Sequence, residues 1–285
     1  MMAELLPHTG KALRMGITGS PGVGKSTLIE ALGLHLVEAG HRVAVLAVDP
    51  SSSISGGSVL GDKTRMEELA RHPSAFIRPS PASGVLGGVA AHTREAALVV
   101  EAAGFDVVIV ETVGVGQSET DVANLTDVFV LMQLPNAGDD LQAMKKGIVE
   151  LADIIVYNKR DLDPAAADRA MKQMEGALTL LRPASAHWKP VVLGASALHR
   201  DGIGAFWDEV KRCHDTLAAS GELAAKRKRQ ALSWTWHLID AGLRERFRND
   251  DEVRDALPRV LRDVEAGTLT PTAAAAQLLS TSKGE

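Results

Sequence analysis

Gly19-Ser20-Pro21-Gly22-Val23-Gly24-Lys25-Ser26 follows an apolar run at residues 14–18 and opens an amphipathic stretch that starts at Lys25. It fits G-x-x-x-x-G-K-[ST] in the context that gives the pattern meaning, a strand passing through a glycine-rich turn into a helix. Glycines let successive backbone N–H groups and the helix N-terminus converge on phosphate oxygens, and the lysine adds a full charge at the β- and γ-phosphates. Ser26 offers the hydroxyl that completes a Mg²⁺ shell otherwise made of phosphate, water and carboxylates. A turn that merely opened a helix would not require lysine and serine in succession after its last glycine. The stretch therefore predicts a nucleoside-triphosphate site contacted by Gly19, Pro21, Gly22, Val23, Gly24, Lys25, Ser26 and Thr27.

Outward from that loop, short β-branched runs alternate with longer helical patterns from Leu13 to about Gly204, as in βαβ units around a parallel sheet. Strands are expected at 14–18, 42–48, 107–110, 128–134, 154–157 and 191–193, several of them apolar throughout, as strands covered on both faces must be. Helices are expected at 25–39, 63–71, 88–103, 140–150, 164–181 and 203–219. After Ser220 no strand-like run follows, and three helices are expected near 221–248, 251–266 and 271–279. The predicted fold is α/β, a doubly wound, mostly parallel sheet of the P-loop NTPase type with a C-terminal helical extension. Its parts are a short N-terminal segment 1–12, a nucleotide-binding domain 13–219 and a helical extension 220–285.

Asn158-Lys159-Arg160-Asp161 comes directly after the strand at 154–157, at the carboxyl edge of the sheet where ligands bind in doubly wound folds. It matches the N-K-x-D box. A carboxylate at Asp161 accepts two hydrogen bonds from guanine's ring N–H and exocyclic amine, a pair of donors that adenine does not present. GTP and GDP are the expected substrate and product, with Asn158, Lys159 and Asp161 at the base, and Ser196-Ala197-Leu198 resembles the last guanine-contact loop. Glu111-Thr112-Val113-Gly114 ends the strand at 107–110, where a GTPase places an acid for the Mg²⁺ shell and a glycine N–H, here that of Gly114, for the γ-phosphate. Val115 stands where Ras-like proteins carry the water-orienting glutamine, so slow unaided hydrolysis is expected. Asp49 ends the second strand and Asp62 follows a Ser/Gly stretch; both are metal or water candidates, and Asp62 is equally a helix N-cap candidate.

The formal charge of -5 offers no global attraction to nucleic acid or an anionic membrane. With 45% hydrophobic and 24% charged residues the chain has material for a real core. Cys213 is the one cysteine, which excludes an internal disulfide and a multi-cysteine metal site. No signal pattern or span-length apolar run occurs, and a cytoplasmic location is expected.

Taken in order, these residues resemble the MeaB/ArgK family of SIMIBI-class GTPases, chaperones of adenosylcobalamin-dependent methylmalonyl-CoA mutase. The likeness runs through Gly19 to Thr27, Asp49-Pro50-Ser51-Ser52, the stretch from Glu111 to Glu119, and Asn158 to Asp161. It implies that Lys25, Ser26, Asp49, Asp62 and Glu111 surround Mg²⁺ and the phosphates, with Lys25, Asp62 and Glu111 catalytic, and that Asn158 and Asp161 read guanine. It also implies a switch at 135–147 that includes Asp139, Gln142 and Lys145, a methylmalonyl-CoA mutase partner and a homodimer built by C-terminal helices. By spacing, Asp139 and Asp140 read equally as a helix cap. Family members carry a helical extension before the phosphate loop, whereas Met1 to Thr18 precede it here. The alternatives are a basic amino acid (LAO/AO) transport kinase and a nickel-insertion GTPase. Against nickel stand one cysteine and scattered histidines, and against the kinase stands the guanine box.

Leu232, Trp236, Ile239, Leu243 and Phe247 recur at spacings of three and four and form one apolar stripe. Such a stripe packs onto its own domain or onto a second copy. The basic run 226–229 reads as a solvated face or interface rim, and Trp234, off the stripe, as an exposed anchor.

Overall fold

The computed structural model describes residues 2–49, 66–81, 88–112, 118–135, 146–181 and 184–281. Seven parallel strands form one sheet in the order β3-β2-β4-β1-β5-β6-β7: β1 Leu13–Gly19, β2 Val43–Asp49, β3 Ala75–Pro81, β4 Val107–Thr112, β5 Val128–Gln133, β6 Ile154–Tyr157 and β7 Val191–Gly194. The helices in chain order are α1 Met2–Leu5, α2 Lys25–Glu38, α3 Glu67–Ala70, α4 Gly88–Ala102, α5 Ser118–Ala123, α6 Lys146–Leu151, α7 Pro164–Leu178, α8 Ile203–Ala219, α9 Glu222–Asn249, α10 Asp251–Glu265 and α11 Pro271–Thr281.

Side-chain alternation explains the double winding. Met15 and Ile17 of β1, Val107 and Ile109 of β4, Val128, Val130 and Met132 of β5 and Ile154 and Val156 of β6 enter one core with Leu28 and Leu32 of α2 and Phe206 and Val210 of α8. Their neighbours Val108, Val110, Phe129, Leu131, Ile155 and Tyr157 enter the other, with Ala96 and Val100 of α4 and Met174 of α7. Every residue of β4, β5 and β6 is thus buried, and each large side chain so covered contributes about 1.5–3 kcal/mol. The chain leaves β1 toward β2 and β3 on one side and later fills the other with β5, β6 and β7. The reversal falls at β1, whose carboxyl end is the natural crevice.

Sequence reasoning missed β3. Ala75-Phe76-Ile77-Arg78-Pro79-Ser80-Pro81 holds two prolines, which argue against a central strand; it pairs only with β2, and an edge position tolerates them. The short helices α1 and α5 were also not anticipated.

At the opposite end of the strands a polar network closes the base of the sheet. Arg227 of α9 forks onto Asp127 just before β5, with Nε on Oδ1 at 2.8 Å and Nη2 on Oδ2 at 2.6 Å, and also donates to the carbonyls of Gly10 and Ala12. Lys226 Nζ donates to the Asp127 carbonyl at 2.7 Å and lies 3.6 Å from Asp153 Oδ2, while Gln230 Nε2 donates to the Thr126 carbonyl at 2.9 Å. Arg14 pairs with Glu101, whose other oxygen accepts from the Gly10 N–H at 2.6 Å. Lys226 and Arg227 are therefore structural cations of the domain base, a correction to the solvated face read from the charge run. Burial raises the pKa of Asp153, against the neighbouring Lys226 charge.

The chain forms two compact units, Met1–Gln230 and Ala231–Glu285. In the second, Val260, Ala274 and Leu278 form a small core to which Phe247, Leu257 and Leu269 add. Asp250 caps α10 by accepting from the N–H groups of Glu252 and Val253. Trp234 is half-buried and stacks on His237 at 4.9 Å, so it is not the exposed anchor its off-stripe position suggested.

Candidate nucleotide site

Hydrophobic β1 delivers the chain to Gly19, the loop turns, and α2 starts at Lys25 with Gly24 as its N-cap and no side chain capping it. A helix start left to the backbone is what an anion-binding loop requires. Gly24 sits at φ +94°, and a Cβ there would lie 2.6 Å from Asn158 Nδ2. Glycine is needed twice over, for the left-handed backbone and for the approach of that amide.

Lys25 is buried, and its Nζ donates to the carbonyls of Gly19 at 2.8 Å and Ser20 at 3.2 Å. The ammonium is thus fixed inside the curve of the loop. Ser26 Oγ donates to Glu111 Oε1 at 3.1 Å, which joins the start of α2 to the end of β4. Next to Glu111, Thr112 Oγ1 donates to Thr18 Oγ1 at 2.8 Å and ties β4 to the last turn of β1. Ser26 and Glu111 together present hard oxygen donors beside the loop, the donor chemistry Mg²⁺ prefers, and a hydroxyl that donates to a carboxylate keeps lone pairs for a cation. This donor set fits the metal that sequence reasoning assigned.

Asn158 joins loops on the two sides of β6. Asn158, nearly fully buried, donates from Nδ2 to the Val23 carbonyl at 2.8 Å and accepts at Oδ1 from the Ala197 N–H at 3.0 Å. Its amide thus joins the loop after β1 to the loop after β7. Both ends are engaged with backbone, so Asn158 orients the loops. Lys159 takes a left-handed backbone at φ +60°, and the Arg160 N–H donates to the Ala195 carbonyl at 3.1 Å. Asp161 is held below the usual carboxylate range, first by the Ser196 hydroxyl and further by His199 and Lys159. Ser196 pairs with Asp201 through backbone bonds of 3.0 Å, Ala197 is buried and Leu198 is 74% exposed, an apolar cover at the rim of the loop.

The structure thus gathers Gly19, Pro21, Gly22, Val23, Gly24, Lys25, Ser26, Thr27, Glu111, Asn158, Lys159, Asp161, Ser196, Ala197 and Leu198 at the carboxyl edge of the sheet. Asp62, Gly114, Asp139, Gln142 and Lys145 lie outside the described residues, and Asp49 is described only as the last backbone position of β2. His199, whose Nε2 is 3.6 Å from Asp161 Oδ2, was not anticipated. Its place directly after Ser196-Ala197-Leu198 was the one available signal.

Residues 1–252 match the family described as methylmalonyl Co-A mutase-associated GTPase MeaB. A probable GTPase of Mycobacterium tuberculosis is 53% identical over 98% of this chain and 83% of its own length. The mitochondrial methylmalonic aciduria type A homolog of Mus musculus is 48% identical over 98% of this chain and 68% of its own. Among solved structures, a LAO/AO transport system kinase superposes with a TM-score of 0.78 at 38% identity, covering 98% of this chain and 84% of that one.

Proposed function

The chain belongs to the MeaB family of GTPases, and from that premise we propose a Mg²⁺-dependent, homodimeric, cytoplasmic chaperone of adenosylcobalamin-dependent methylmalonyl-CoA mutase. It couples GTP binding and hydrolysis to the loading or protection of the mutase cofactor. The reaction is attack of water on the γ-phosphorus of GTP, giving GDP and phosphate.

Asn158 supports this reading: its bonds to Val23 and Ala197 hold the loops after β1, β6 and β7 in one frame. Phosphoryl transfer asks mainly for positioning and charge stabilisation, and such a frame supplies the first. Lys25 gives up its carbonyl partners to the β- and γ-phosphates. Ser26, Asp49, Asp62 and Glu111 would hold Mg²⁺, which when bound neutralises charge on the phosphate oxygens. Asp62 or Glu111 positions the water, the Gly114 N–H meets the γ-phosphate, and Lys159 and Leu198 flank a guanine that donates to Asp161. Asp139, Gln142 and Lys145 belong to the segment that relays nucleotide state to the client. Val115, in place of a water-orienting glutamine, leaves hydrolysis dependent on that client. The kinase named in the related structure invites an ATP-dependent reading, but adenine would leave the Asp161 carboxylate without its two donors.

GTP turnover at saturating nucleotide, with and without methylmalonyl-CoA mutase, tests the client. The expected result is acceleration by the mutase; equal rates overturn the assignment while leaving the GTPase itself intact.

A further inference from the structure

The phosphate loop is clasped at both ends by consecutive residues of β4. Where β1 enters the loop, Thr112 Oγ1 donates to Thr18 Oγ1 at 2.8 Å, and both threonines are fully buried. Where the loop leaves into α2, Ser26 Oγ donates to Glu111 Oε1 at 3.1 Å, and Glu111 is 8% exposed. The backbone ladder between β1 and β4 ends one step earlier, at Ile17 opposite Glu111, while β1 runs on beside β5 as far as Gly19 opposite Met132. The hydroxyl pair therefore carries the contact between β1 and β4 past their last ladder partners, at the mouth of the loop. We propose that Thr18 and Thr112 are positioning residues: their buried contact sets how far Glu111 stands from the phosphate loop, and with it the protein's hold on magnesium.

This rests on Glu111 as part of the magnesium shell. Alternation along β4 sends Val108 and Val110 into one core and Val107 and Ile109 into the other, so Thr112 and Glu111 leave the strand on opposite faces. They are one peptide apart, and a shift of Thr112 is a shift of Glu111. Two hydroxyls joined by a hydrogen bond stand 2.8 Å apart here, whereas two methyl groups in contact need about 3.5–4.0 Å. Valine has the shape of threonine without the hydroxyl, so valine at both positions opens the end of the seam between β1 and β4 by about 1 Å. Magnesium tolerates little of that, because it demands near-ideal octahedral geometry with short bonds to oxygen. Lys25 is held by the carbonyls of Gly19 and Ser20 within the loop itself, so the grip on phosphate without metal depends less on the pair.

The test is calorimetric titration of the full chain with GMPPNP, a non-hydrolysable GTP analogue, in magnesium and in EDTA. The proteins are wild type, Thr18→Val, Thr112→Val, the double valine variant, Thr112→Ser and Glu111→Gln. The readout is the magnesium gain, the ratio of the two affinities, which a loss of stability alone leaves unchanged. The valine variants are expected to lose about three- to tenfold of that gain, the worth of about one hydrogen bond, and Thr112→Ser, which keeps the hydroxyl, to retain it. A single valine strands one buried hydroxyl; where that prevents folding, the double variant, which strands none, decides. A wild-type gain in the double valine variant, or a serine variant that loses the gain as valine does, overturns the proposal while leaving Glu111 at the metal. If Glu111→Gln keeps the wild-type gain, Glu111 lies outside the metal shell, and that reading fails together with this inference.

Discussion

Asn158 uses both ends of its amide on backbone, donating to the Val23 carbonyl and accepting from the Ala197 N–H. Losing that side chain would leave two buried polar groups without partners, each at about 1–3 kcal/mol. Gly24 exists for the same contact, since the shortest approach to a Cβ there is the Asn158 amide itself. Gly24→Ala is therefore expected to weaken GDP binding about tenfold or more, by combining backbone strain of about 1–3 kcal/mol with displacement of Asn158. Gly40→Ala is the control: its φ of +92° is as demanding, but nothing lies within 4 Å and it is remote from the site. It should cost stability and leave the dissociation constant unchanged in the same titration. The residue types at both ends of this contact were legible in sequence as two separate motifs. That one side chain fastens the motifs together was not, because 134 residues separate Gly24 from Asn158 and only the sheet brings them into reach.

Among elements, the start of α9 joins the sheet through charge rather than apolar packing alone. Asp127 is fully buried, and Arg227 supplies both of its side-chain ion-pair contacts; hydrogen bonding and the Asp127 charge hold Arg227 above the ordinary arginine pKa despite burial. Arg227→Met would keep much of the stem's packing and leave the carboxylate uncompensated. The expected loss is about 3–5 kcal/mol in urea unfolding. The double variant Arg227→Met with Asp127→Asn should recover part of it, because the stranded charge is gone. Strand existence was readable for β4, β5 and β6, whose apolar runs leave no polar face to place against water. β3 was not readable, since its prolines penalise every position except the edge it occupies, and edge or centre is a property of the whole sheet. For the same reason the run 226–229 appeared solvated: its counter-charges, Asp127 and Asp153, lie far away in sequence.

At the scale of the molecule, the unit Ala231–Glu285 keeps a small core of its own. Along its first helical segment Leu232, Trp236, Ile239 and Leu243 are 57%, 65%, 41% and 51% exposed, an apolar row with a partner still to meet. In the homodimer proposed above, a C2 interface would set each row against its copy. Trp236→Glu should shift sedimentation from dimer toward monomer while leaving nucleotide affinity within about twofold, because the site lies wholly in the first unit; a variant that sediments like wild type removes this face from the interface. The sequence by itself determined the G-x-x-x-x-G-K-S and N-K-x-D motifs and the alternation of strand and helix, because each is written in neighbouring residues and enforced by backbone geometry. Only the tertiary structure decided that Asn158 locks the two loops, that His199 faces Asp161, that β3 takes the edge and that Arg227 seals the base of the sheet. Those are contacts between residues distant in the chain, and their partners are chosen by strand order and burial rather than by any local preference.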